Sequence, residues 1–127
     1  FVFAETQQNI VYEVSRRIGD GTITGFVETD GTLGPISELN VVSWELTLTA
    51  PNLAGGPVDT ISSLSQTQTV LSGTVTTATA TGLFFDISGA SGDGAFLTQG
   101  FSGNYWCIET ENGACTGNGI GEYIGFD

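Results

Sequence analysis

The chain has 127 residues, of which 14 are acidic and 2 are basic, so its formal net charge is −12. It contains no His, no Lys and no Met, which excludes imidazole-based catalysis, His-ligated zinc and a Walker-type lysine, and the negative charge argues against a nucleic-acid partner. Only 13% of residues are charged and 19 are Gly, and because Ser, Thr and Gly fill the polar positions we expect one all-β domain over residues 1–127.

The first half of the chain contains the clearest strand patterns. Apolar and polar residues alternate over Ile10–Ile18, and the Gly-rich turn that follows predicts a hairpin with a second strand over Thr22–Thr29. Pro35–Leu39 has room for one helical turn that begins at the proline. The strongest alternation, over Asn40–Ala50, predicts a strand with one buried face.

The second half is less regular and predicts shorter strands. Pro51–Ser65 is typical of a loop with at most a short strand. Thr67–Ala80 predicts an edge or solvent-facing hairpin broken near Ser72 and Gly73, whereas Leu83–Ile87 predicts a central strand with both faces covered. Further strands are expected at Ala95–Gln99, Asn104–Glu111 and Gly119–Asp127.

These segments together predict the fold class. About eight to ten short strands separated by Gly-rich turns are typical of an antiparallel β-sandwich or a jelly-roll-like fold, with an open barrel as the alternative. The sequence shows no internal repeat and no linker that would divide the domain. Residues 1–8 are set apart as a candidate amino-terminal arm.

The two cysteines predict one disulfide. Cys107 and Cys115 enclose seven residues, with an Asn-Gly turn signal among them. A metal or redox role would need more cysteines, a His or a C-x-x-C spacing, and the sequence has none of these. We therefore expect a structural bridge that clamps a hairpin or its loop and contributes about 2 to 3 kcal/mol in the chain-entropy model.

The amino terminus indicates export. Because the chain contains no Met, Phe1 is expected to be a processed or cloned start, and removal of a secretory signal peptide is the simplest explanation. No apolar run approaches the roughly 20 residues that a membrane helix needs. The apolar residues Phe1, Val2 and Phe3 either cap the domain's own core or donate a strand to a neighbouring subunit.

Metal binding has weak support in the sequence. Asp20, Asp30 and Asp93 are acidic residues next to glycines, which makes them candidates for calcium. None of them lies in a D-x-D-x-D-G string, and isolated Asp-Gly pairs are usually plain turns. We expect no cofactor other than this calcium option.

Three aromatic residues near the predicted disulfide and the carboxyl end suggest an alternative function. Tyr105, Trp106 and Tyr123 could bind sugars if they are exposed, or fill the core of a small sandwich if they are not. The 14 acidic residues also allow a glycosidase-like carboxylate pair, but no accompanying cluster supports one, so we predict no enzymatic activity.

The two basic residues lie next to each other in the first predicted strand. Adjacent strand residues face opposite sides, so at most one of Arg16 and Arg17 points inward. Pairing with a nearby Glu or Asp is favoured over phosphate binding.

Two stretches resemble a known group of proteins. They read GFVETDGTLG at positions 25–34 and LNVVSWELTL at 39–48, and the segments 83–86 and 122–125 are similar to later strands of the same group. The sequence resembles exported bacterial proteins of the PEP-CTERM (exosortase-sorted) group, many of which carry G-x-I-x-T-D-G-T-x-G followed by I-x-x-W-x-L. The likeness covers the β domain, since the Pro-Glu-Pro sorting tail is absent from this sequence. It implies secretion or surface display, often alongside extracellular polysaccharide, and it implies no reaction.

These observations lead to one functional hypothesis and one alternative. We expect a secreted, non-enzymatic structural protein that assembles with itself into an extracellular filament or biofilm matrix, with amino-terminal strand donation as one route. The alternative is a surface carbohydrate-binding module that holds exopolysaccharide. A homo-oligomer or homopolymer, and extracellular polysaccharide, are the expected partners.

Overall fold

A computed structural model of the chain describes residues 8–64, 68–88, 94–110 and 120–126. These residues form eleven strands in three antiparallel sheets, with one short 3-10 helix and no α-helix in the described part. The all-β prediction is confirmed, with slightly more strands than expected. No helix in these ranges is long and apolar enough to cross a membrane.

The strands occur in the following order along the chain. They are β1 Ile10–Ile18, β2 Gly21–Thr29, β3 Gly34–Pro35, β4 Val41–Thr49, β5 Val58–Ser62, β6 Gln68–Ser72, β7 Thr76–Ala78, β8 Leu83–Phe85, β9 Ala95–Gln99, β10 Asn104–Glu109 and β11 Gly121–Phe126, with the 3-10 helix Glu38–Asn40 between β3 and β4.

The first sheet has the order β1-β2-β4-β5. Its first three strands come from the regularly alternating half of the chain, and β5 comes from Pro51–Ser65, where at most a short strand is expected. The predicted hairpin is present: Ile18 pairs with Gly21, and the turn between them places Gly19 at a φ of 58°, which favours glycine. The inward positions of β4 bury Trp44, Leu46 and Leu48. Alternation therefore predicted both the strands and the face that they bury.

The second sheet has the order β11-β10-β9-β6, and the third has the order β3-β7-β8. The predicted hairpin over Thr67–Ala80 is wrong, because β6 pairs with β9 whereas β7 pairs with β3 and β8. The predicted central strand at Leu83–Ile87 is also wrong. It has only three strand residues and lies at the edge of its sheet, with Phe84 57% exposed.

All three sheets contribute to one continuous core. Buried residues of β2 and β4 belong to the same cluster as Phe96 of β9 and Trp106 of β10. The ring of Phe85, from β8, packs edge-on against Phe96 and Trp106 at centroid distances of 5.2 and 6.0 Å. The arrangement is sandwich-like. In the two four-stranded sheets, the neighbours β2 and β4 and the neighbours β6 and β9 are not consecutive along the chain, because the intervening strands β3, β7 and β8 form the third sheet.

Candidate binding groove along the first strand

The outer edge of β1 is the longest open strand edge in the described part of the chain. β1 has nine residues and pairs only with β2. Among the described residues, no backbone hydrogen bond reaches its other side. Alternate N–H and C=O groups of an edge strand point away from its sheet, so β1 presents a row of them to any incoming strand.

The side chains of β1 separate cleanly into two faces. Tyr12 and Val14 point to the core and are 5% and 8% exposed, whereas Val11 on the outer face is 58% exposed. Glu13 and Arg17 share this outer face and are also exposed. The inward side also carries Arg16, whose side chain is 51% exposed, and an open edge lies between the two faces.

A groove of about 560 Å³ runs along this edge. It lies between β1 and the turn that joins β7 to β8, and the aromatic residues Tyr12, Phe85 and Trp106 contribute to its lining. The Tyr12 hydroxyl donates a hydrogen bond of 2.8 Å to the Thr79 carbonyl, which ties β1 to the start of that turn. An open strand edge beside an aromatic groove has the features required for β-strand addition.

One ion pair joins β1 to β11 at the far end of the groove. Arg16 donates from Nε and Nη2 to the Glu122 carboxylate over 2.6 to 2.9 Å, and the Trp106 indole donates to the same carboxylate at 2.9 Å. The hydrogen bond to Glu122 raises the pKa of Arg16 above its ordinary value. The prediction that an arginine pairs with an acidic residue is confirmed, and the pair connects the two large sheets.

The opposite side of the sandwich is closed by polar contacts. The Glu38 carboxylate accepts a hydrogen bond of 3.1 Å from the Leu71 backbone N–H on edge strand β6. The Trp44 indole donates to Thr69 Oγ1 at 2.8 Å, joining β4 to β6. A strand edge that is satisfied in this way is a poorer template for another strand than β1.

Buried Asn104 fastens the loop after β4 to the start of β10. Its side-chain oxygen accepts from the Ala54 N–H at 2.8 Å, and its amide nitrogen donates to the Ala54 carbonyl at 3.1 Å and to the Asp59 carboxylate at 2.7 Å. Asn104 is completely buried, and these bonds use both ends of its amide. Its role is structural.

The motif that carries the family resemblance forms a local hydrogen-bond network. Asp30 accepts a hydrogen bond from the Thr32 N–H and another from the Asn40 side chain, each at 3.0 Å. The Asn40 side chain also accepts from the Ser37 N–H at 3.0 Å, which completes a capping box around the 3-10 helix. Bonds to Thr32 and Asn40 lower the pKa of Asp30 below its ordinary value. The motif is therefore a structural turn that positions Glu38.

The calcium candidates do not come together in the described structure. Asp30 is engaged as above, Asp20 is exposed in the β1–β2 turn, and Asp93 lies outside the described residues. In the ranges that the structure describes, no three Cys, Asp or Glu side chains form a group that could hold a metal ion.

The three aromatic candidates have different surroundings. Trp106 is 1% exposed, so the structure corrects the sugar-binding hypothesis at this residue: its ring belongs to the core. Tyr105 and Tyr123 are half-buried on the opposite face of the second sheet, since Tyr105 pairs with Gly125 and Tyr123 with Cys107. A Cβ at Gly125 would lie 2.8 Å from the Tyr105 hydroxyl oxygen, which shows that this ring lies across the glycine.

Two further sequence-based predictions fall on residues that the structure does not describe. Cys107 is completely buried in β10, but its predicted partner Cys115 lies outside the described residues, and the disulfide stays a prediction. The candidate donor residues Phe1, Val2 and Phe3 also lie outside them.

The open edge of β1 and the linking role of Glu122 were not predicted from the sequence. The one relevant signal in the sequence is that both basic residues, Arg16 and Arg17, lie in the first strand. Comparison of the chain with protein-family models, with curated proteins and with solved structures finds no match.

Proposed function

We propose that this chain is a secreted, non-enzymatic structural protein that self-assembles at or beyond the cell surface, and that copies join through the open edge of β1. The observation that carries the proposal is a nine-residue edge strand that lies beside an aromatic groove and has no backbone partner on one side in the described structure. The resemblance to exported proteins supports the extracellular location.

Backbone pairing suits a chain with this charge. A net charge of −12 makes copies repel one another, so association needs contacts strong enough to outweigh this repulsion. Each added main-chain hydrogen bond contributes about 1 kcal/mol net, and a groove that loses water on strand addition adds a hydrophobic term. Strand addition at β1 supplies both contributions.

Hydrogen exchange measured at several protein concentrations tests the proposal directly. We expect sedimentation to show oligomers that grow with concentration, and amides of β1 to become more protected in the same range. Amides of β5, the other edge of the same sheet, are the internal control. Association with unchanged β1 protection would rule out this edge as the contact, and a strictly monomeric chain would end the self-assembly proposal altogether.

The amino-terminal segment remains a candidate source of the added strand. Removal of residues 1–7 leaves β1 complete, because that strand begins at Ile10. If Phe1, Val2 and Phe3 supply the strand, the truncated chain no longer associates, and a synthetic peptide of residues 1–7 binds to it. Unchanged association of the truncated chain would show that they have no such role.

A carbohydrate-binding function is the second candidate, now limited to two tyrosines. Tyr105 and Tyr123 share one sheet face, and each ring lies close to a glycine, Gly125 and Gly121 respectively. Neighbouring rings on a sheet face provide a surface on which sugar rings could stack. Loss of exopolysaccharide binding in Tyr105→Ala and Tyr123→Ala, with Phe84→Ala as the exposed-aromatic control, would support this function. Binding that survives both substitutions would oppose it.

A further inference from the structure

The charges along β1 are unusual for this chain. The strand contains Glu13, Arg16 and Arg17, so it has a net charge of +1 within a protein whose net charge is −12. Both basic residues of the whole sequence lie here. β1 is therefore much less negative than the chain as a whole, which lowers the electrostatic repulsion that a second copy of the chain meets there.

The two arginines have different roles. Arg16 is bound to Glu122 within the chain, whereas Arg17 and Glu13 make no ion pair or side-chain hydrogen bond with another described residue. Their cross-strand neighbours on β2 are Thr22 and Phe26, neither of which is charged. Two opposite charges thus lie four residues apart on the same exposed face of an open edge strand, without partners in the described structure.

We infer that the strand added to β1 is β1 of a second copy, in an antiparallel two-fold arrangement with Ser15 opposite Ser15. This inference rests on the proposed function and identifies the partner of β1 as a second copy of the same strand. In that register Glu13 lies opposite Arg17 of the second copy, and Arg17 opposite its Glu13. A two-fold contact uses the same patch twice, so one pair of residues supplies two ion pairs.

On the inward face, this register places Ile18 of the second copy beside Tyr12, so an apolar residue extends the cover over one end of the aromatic groove. It also places Arg16 of the second copy, which is bound to Glu122 in its own chain, beside Val14. The outer face then carries alternating Glu and Arg side chains across the junction, where opposite charges directly facing each other are stabilising. The first sheets of two copies join into one eight-stranded sheet, because each contributes four strands.

Such a contact is closed, because the β1 edges of both copies are paired with each other and neither is left for a third copy. It produces a dimer and not a chain of unlimited length. Assembly into a filament then requires a second contact of a different kind. Donation of residues 1–7 to another strand edge is one such contact, and removal of these residues tests it separately from β1 pairing.

Charge reversal gives a specific test. Glu13→Arg and Arg17→Glu each replace two attractive pairs with two repulsive ones, and at low ionic strength each variant alone should dimerise about tenfold more weakly. An equimolar mixture of the two single variants should recover association, because one chain then has basic side chains at both positions and the other has acidic side chains at both. The double variant, which restores both pairs, should dimerise as the unmodified chain does. Sedimentation equilibrium measures all four samples.

Glu45→Arg is the matched control. Glu45 is exposed on the outer face of the same sheet, in β4 and away from the edge, and its substitution changes net charge by the same amount as Glu13→Arg. We expect this control to dimerise no more weakly than the unmodified chain.

The possible results separate the inference from the proposed function. Single variants that associate normally, while β1 still gains protection from exchange, would overturn this register and leave the proposed function standing. If association is lost only when residues 1–7 are removed, then the strand added to β1 is the amino-terminal segment of another copy and not its β1, and the inference is overturned. A monomeric unmodified chain would overturn both.

Discussion

β1 and β6 are both edge strands of four-stranded sheets, yet their outer edges differ in length and in hydrogen bonding. β6 has five residues, and a carboxylate from the 3-10 helix accepts the Leu71 N–H on its edge. β1 has nine residues and receives no backbone hydrogen bond on its outer edge from the described part of the chain. The shorter edge is covered and the longer one is open. β1 and β6 therefore present different edges to an incoming strand.

The closed side should be the more sensitive to substitution, and Asn104→Ala should have the largest effect. The change leaves the Ala54 backbone groups and Asp59 without their amide partner in a buried position. We expect a loss of about 2 to 4 kcal/mol in the free energy of unfolding, measured by urea denaturation. Ser15→Ala on the open edge is the control and should change stability by less than about 0.5 kcal/mol. Equal effects at the two positions would contradict the contrast between the sides.

Glu38→Ala should turn the covered edge into an open one. It removes the acceptor of the Leu71 N–H, and a hydrogen bond to a charged group contributes about 1.5 to 3 kcal/mol, so we expect a stability loss near the lower end of that range because the site is only partly buried. The more informative readout is association. The variant should form larger oligomers than the unmodified chain, whereas Glu45→Ala should not. A variant that is less stable but associates normally would show that Glu38 does not protect this edge.

Arg16→Met should have a smaller effect on the open side. The Arg16–Glu122 pair is short, but the Arg16 side chain is 51% exposed, so solvent screening limits its contribution to about 1 kcal/mol or less. Thermal denaturation at low and high salt should show the difference between the two proteins shrinking as salt rises. A difference that does not depend on salt would mean that packing of the Arg16 side chain, and not its charge, stabilises the junction.

Asp30→Asn should give the smallest effect, and one that depends on pH. The pKa of Asp30 is lowered in the folded state, so its ionised form adds stability at neutral pH, and this contribution is lost as the pH falls through the folded pKa. Asp30→Asn should thus be less stable than the unmodified chain at neutral pH, with the gap closing as the pH falls below the ordinary pKa of an aspartate. Asp20→Asn is the matched control. A gap that persists in acid would show that the ionised carboxylate is not what matters.

Local patterns predicted the first sheet far better than the other two. The alternation of β1 and β4 gave both their positions and their buried faces. The helical turn expected to begin at Pro35 is present but begins at Glu38, because Pro35 belongs to β3 and Ser37 caps the helix. The Thr-rich segment around β6 and β7 lacks alternation, so nothing local showed that its two strands pair with different sheets. The choice of partner is a long-range property that single-segment patterns do not contain.

The candidate site was harder to predict for the same reason. A strand is an edge only in relation to the whole sheet order, so the periodicity of β1 could not show that one side would lack a partner. Trp106 was ambiguous because an aromatic residue in a strand suits either a core or a surface, and its burial depends on Phe85 and Phe96, which arrive from two other strands.

The two tryptophans lie on different sides of the sandwich, so the intrinsic fluorescence of each one reports on its own side. Trp44 is bonded to Thr69 on the closed side, and Trp106 contributes to the lining of the groove beside β1. These are the two tryptophans of the chain. In a Trp44→Phe background, the remaining indole emission comes from the open side alone, so a strand that enters the groove is expected to change its intensity or wavelength without any added label.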